Sequence, residues 1–66
     1  MKNTNEAAVA VAKRSAHRAV ATHGLDSQEG RTAVARWQAA LARYNAEVTG
    51  QAMGSAATAY TRAAFA

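Results

Sequence analysis

At 66 residues, the chain has room for one domain, and without a single cysteine it has neither a disulfide nor a thiolate metal site to staple it. Half of the residues are hydrophobic, but most of these are alanine, the best helix former, and with no proline and no strand-type alternation of β-branched residues the chain points to an all-α fold. The net charge of +4 and pI near 10.4 permit nucleic acid or an acidic protein surface as a partner without requiring either.

The first apolar run, Ala7 to Ala12, is too short for a signal peptide and is followed at once by Lys13 and Arg14. No stretch approaches the ~18 uninterrupted apolar residues of a membrane span. The expectation is a cytoplasmic protein with no membrane contact.

A first helix is predicted over about residues 4–23. Asn3 can cap it, with Glu6 three positions on reaching back as in a capping box. Gly24 then supplies the left-handed residue that ends a helix, and Leu25 can fold back onto Val20. Asp26 follows as a second N-cap, with Glu29 at its third helical position. A turn confined to 24–26 makes the next helix an antiparallel neighbour, so the chain reads as a helical hairpin.

The second helix is predicted over about 27–64. Val34, Trp37, Leu41, Tyr44 and Val48 recur at spacings of three and four and form one stripe. The facing stripe on the first helix is Ala8, Val9, Ala12, Ala16, Ala19 and Val20, so bulky side chains meet small ones. From Thr49 onward the second helix outruns its partner, leaving Ala52, Met53, Ala56, Ala59, Tyr60 and Phe65 to be covered. Gly50 and Gly54 offer a kink or break, with Ser55 capping a short third helix that folds back. The alternative is an unbroken helix whose overhang packs on a second chain. The reading taken is the long second helix and a homodimer forming a helical bundle. The spacing of Ala46, Gly50 and Gly54 also lets another helix approach that face.

Little in the sequence points to catalysis. Glu6, Asp26 and Glu29 sit where caps and first-turn dipole effects account for them, and Glu47 follows Arg43 by four residues as a surface pair. His17 and His23, six apart, fall on different helix faces and do not make a metal pair. Ser15 lacks a discernible His and Asp arrangement. The expectation is a protein that is not an enzyme, with no cofactor, no metal and no small-molecule substrate.

The basic residues carry more information. Lys13, Arg14, His17 and Arg18 form a patch on the outer side of the first helix, and Arg36 and Arg43 lie seven apart on the outer side of the second. Either set suits a phosphate backbone, or simply a solvated face. The Gly24-Leu25-Asp26-Ser27 turn is like that of a helix-turn-helix, but His23 and Gly30 stand where that motif packs apolar anchors. Trp37 and Tyr44 are of the types enriched at binding hot spots, though their stripe also suits a core. Tyr60 and Phe65, off that stripe, are better placed for a dimer or partner contact.

With its short hairpin and Gly24-Leu25-Asp26 turn, the chain resembles in architecture the plasmid Rop proteins, antiparallel homodimers that bind RNA. In its length, its alanine and arginine content and its helix 2 aromatics, it also looks like the small phage-encoded helical inhibitors of host regulators, such as the quorum-sensing anti-activators of Pseudomonas phages. The second resemblance implies a dimer that masks a surface of a host regulatory protein. The sequence reading is therefore a non-enzymatic protein-binding module with Arg36, Trp37, Arg43, Tyr44 and Tyr60 as partner-binding residues. The alternative is a nucleic-acid binder using Lys13, Arg14, Arg18, Arg36 and Arg43.

Overall fold

The computed structural model describes residues 4–66 and is all-helical, with α1 over Thr4–His23, α2 over Gln28–Thr49 and α3 over Ala56–Ala63. Asn3, the expected cap of α1, lies outside the described residues. Glu6 remains in the first turn of α1, where a negative charge favours the helix dipole.

The first turn is built around two glycines. Gly24 has φ +92°, a conformation that side-chain-bearing residues rarely adopt, and its N–H donates to the Val20 carbonyl at 2.9 Å. The cap of α2 is Ser27, one residue later than the expected Asp26. Its hydroxyl donates to the Gly24 carbonyl at 2.7 Å and accepts from the Gly30 N–H at 2.9 Å. Glu29 accordingly does not complete a capping box from Asp26; its carboxylate lies 3.9 Å from the His23 ring. Leu25 remains 42% exposed.

Gly30 is buried because the turn folds onto it. A Cβ there would stand 2.1 Å from the Gly24 carbonyl oxygen and 3.0 Å from the Ser27 hydroxyl. Alanine ordinarily favours a helix over glycine by ~1 kcal/mol, but here the clash is with backbone. Gly30→Ala should therefore lower stability by about 1–3 kcal/mol, read as a reduced urea midpoint at unchanged slope. An unchanged or higher midpoint would mean that the turn relaxes freely.

The α1 and α2 helices run side by side in opposite directions. Asn5 near the start of α1 donates to the Glu47 carboxylate near the end of α2, while His23 and Glu29 meet beside the turn. Between these ends, Ala16 is fully buried and the His17 ring lies 5.7 Å from Trp37. Alanine on α1 lets the indole of α2 reach the interior.

The long second helix is not observed. It stops at Thr49, and Gly50 takes the left-handed C-cap with φ +74°, its N–H donating to the Ala46 carbonyl at 2.8 Å. Side chains fasten the break. The Thr49 hydroxyl donates to the Asn45 carbonyl at 2.8 Å and accepts from the Gln51 N–H at 3.2 Å, and the Asn45 amide donates to the Gln51 carbonyl at 3.3 Å. Gly54, at φ +57°, completes the reversal. Ser55 precedes α3 but makes no side-chain cap. The helix breaks here because two glycines free the chain to turn, and turning covers Trp37 with side chains that would otherwise lie on an unpartnered overhang.

The α3 helix packs on α2 through Ala57, 2% exposed, and Thr61, fully buried. The Thr61 hydroxyl shares its proton between the Ala57 and Thr58 carbonyls at 3.0 and 3.1 Å, so a polar group is buried at little cost. Gln38 on α2 donates to the Thr58 hydroxyl at 2.6 Å. The expected stripe on α2 is only partly interior. Trp37 is buried, Val34, Leu41 and Tyr44 are half-buried, and Val48, next to the end of α2, is exposed.

Candidate functional site

The structure centres on Trp37. Its side chain is 1% exposed and is ringed by His17 at 5.7 Å, Phe65 at 6.0 Å and Tyr60 at 6.2 Å, the last two edge-on. His17 is in turn 4.9 Å from Phe65. Edge-to-face packing of this kind adds about 0.5–1.5 kcal/mol per pair beyond the area buried. The His17 Nδ1 lies 2.9 Å from the Lys13 carbonyl, an acceptor one helical turn back to which a ring N–H there donates. The Trp37 Nε1 is buried with no hydrogen-bond acceptor among the described residues.

The expected partner-binding residues divide between interior and surface. Trp37 belongs to the core and presents nothing to a partner, and Tyr44 is half-buried on α2. Arg36 and Arg43 are exposed. Tyr60 and Phe65, expected to lack intrachain contacts, both pack on Trp37, because the α2–α3 reversal carries them back. Phe65 becomes half-buried, whereas Tyr60 keeps 56% of its surface in solvent. The basic residues of α1 read for phosphate contact, Lys13, Arg14 and Arg18, are all exposed.

Two concave features flank this centre. Along α1, a groove of about 530 Å³ is lined by Ala7, Val11, Ala12 and Ser15, with Ala33 and Arg36 of α2 on its far side. Val11 stands 61% exposed there. A second cleft, of about 470 Å³, opens between the α1–α2 turn, α2 and α3, and brings Arg31 and Arg62 onto one site with Leu25, Val34 and Phe65. Sequence reading missed Arg31 and Arg62 as a pair. They lie 31 positions apart by their numbering, and only the reversal at 50–54 brings them together.

The described residues hold no cluster of three His, Cys, Asp or Glu side chains fit for a metal ion, and no helix is long and apolar enough to cross a membrane. Comparison with protein-family models, with curated proteins and with solved structures gives no match.

Proposed function

We propose that this chain is a small non-enzymatic binding module that acts in the cytoplasm, as a homodimeric helical hairpin, by covering a surface of a regulatory protein. The observation that carries the reading is Tyr60. More than half of its surface is exposed, yet its ring is braced edge-on against the buried Trp37. An aromatic side chain already fixed by packing gives up little conformational freedom on binding, which is what makes such residues anchors. Arg43, exposed on α2, supplies steering charge, and Arg36, at the edge of the α1 groove, does so beside the dimer seam.

The overhang no longer supports the dimer, since α3 is covered within the chain. Its support is the α1 groove, whose small side chains and exposed Val11 leave an apolar face that a helix from a second copy would fill. Light scattering across a concentration series should give twice the chain mass. A single-chain mass at every concentration would remove the dimer and leave the Tyr60 face as a monomer's docking surface.

Tyr60→Ala should weaken partner capture by at least about tenfold, the scale of a hot-spot anchor, while Tyr60→Phe retains most of it. Circular dichroism must show both variants folded. If Tyr60→Ala, Arg36→Ala and Arg43→Ala each left binding to the partner unchanged, the masking mechanism would be wrong.

A further inference from the structure

The cleft between the α1–α2 turn, α2 and α3 has the chemistry of a peptide seat. Arg31 of α2 and Arg62 of α3 both line it, two basic residues brought to one cleft by separate helices. Neither has a carboxylate within ion-pair distance among the described residues, where the one such pair is His23 with Glu29. The apolar part of the lining is Leu25, Val34 and Phe65, and the 42% exposure of Leu25 leaves its side chain open to a ligand. The wall is fixed in place. Gln38 and Thr58, both in the lining, are hydrogen-bonded to each other at 2.6 Å, and Phe65 is backed by His17 and Trp37.

We propose that this cleft binds a short acidic and apolar peptide segment of the partner protein. A carboxylate side chain pairs with Arg31 and Arg62, and its apolar neighbour rests on Leu25, Val34 and Phe65. Guanidinium favours carboxylate through planar, paired N–H donors, and the volume of about 470 Å³ suits a few side chains. Asp26 also lines the cleft. It can accept a peptide backbone N–H, and the apolar wall of Leu25, Val34 and Phe65 has a counterpart in a peptide's apolar side chain that a phosphate chain lacks, so a peptide fits better than a nucleic acid. The inference rests on the reading of this chain as a protein-binding module and names the chemistry of one of its contacts.

The test is fluorescence anisotropy of the intact chain with a labelled hexapeptide of alternating Glu and Leu, at physiological salt. Three further arms are the same peptide with Gln for Glu, a labelled single-stranded oligonucleotide, and the chain variants Arg31→Gln, Arg62→Gln, Leu25→Ser and Lys13→Gln with Arg14→Gln. The Glu peptide should bind at least about tenfold more tightly than the Gln peptide. Arg31→Gln and Arg62→Gln should each cost about tenfold or more, as expected for a lost charge-assisted hydrogen bond. Leu25→Ser should cost severalfold, and the Lys13, Arg14 double variant should stay within about twofold. Circular dichroism checks that each variant is folded.

Absence of Glu-peptide binding at millimolar concentration would overturn the assignment. So would an equal loss from the Lys13, Arg14 variant, which would mark general attraction to a basic protein. Oligonucleotide binding that is tighter than peptide binding and lost with Arg31 and Arg62 would assign the cleft to phosphate instead. Tyr60 does not line the cleft. Loss of partner capture in Tyr60→Ala, with none in Arg31→Gln or Arg62→Gln, would therefore defeat the cleft while leaving the masking function standing.

Discussion

Trp37→Ala should abolish the fold rather than weaken it. The indole is the largest fully buried side chain, and its neighbours come from α1, from α3 and from the segment after α3. Truncating a buried tryptophan to alanine costs about 3–5 kcal/mol, since both the transfer energy and the packing around the void are lost. A single core in a chain this short rarely supplies more than ~3–5 kcal/mol in total. The remaining buried groups, Ala16, Ala57 and Thr61, are too small to close the gap. The expected result is loss of most of the helical circular dichroism signal at 25 °C and of cooperative thermal unfolding. Trp37→Phe should retain both, because it keeps an aromatic ring and removes an N–H that has no acceptor. A cooperative transition in Trp37→Ala would show that the helices are held by something other than this cluster.

The second large effect is expected from Gly50→Ala combined with Gly54→Ala. Both glycines have positive φ, and alanine in that region costs about 1–2 kcal/mol per residue. Alanine also gains ~1 kcal/mol over glycine wherever the chain is helical. For two positions the balance between a turn and a continuous helix therefore moves by roughly 4–6 kcal/mol, comparable with the whole stability of a domain this size. The double variant should carry α2 through the former turn, lift Tyr60 and Phe65 away from Trp37, and bury the exposed apolar surfaces between chains. Increased helicity together with association beyond the native species in light scattering would be the signature. Unchanged helicity and mass would show that α3 packing outweighs the backbone preference.

Helix content and the stop of α1 at Gly24 were legible in the sequence because each has a local cause. Alanine content, the position of Gly24 and the start of the Val34, Trp37, Leu41 stripe all act over a few residues. The cap of α2 moved by one because Ser27 and Asp26 are both competent, and the choice depends on how Gly24 presents its carbonyl. The end of α2 depends on a comparison that no local pattern contains. Continuation is favoured by the apolar residues beyond Thr49 if a second chain covers them, whereas reversal is favoured if Trp37 needs a cover within the chain. Gly50 and Gly54 allow the turn without dictating it. The same nonlocal step decides the site. Tyr60 was identifiable as an aromatic outside the main stripe, but its bracing by Trp37 was not. Neither was the convergence of Arg31 and Arg62, since each alone reads as one more solvated charge.

The placement of Trp37 also gives the molecule an optical property. It is the chain's one tryptophan, and its ring neighbours span α1 and α3. Its fluorescence, excited at wavelengths where tyrosine does not absorb, therefore arises from a single chromophore whose surroundings exist only when all three helices are assembled. Docking of α3 onto the α1–α2 pair is visible as a change at that ring, without any attached label, and so is a disturbance of Phe65 from the cleft side. A fold with its aromatic residues scattered would average several environments. Here one emission band reports the state of one junction.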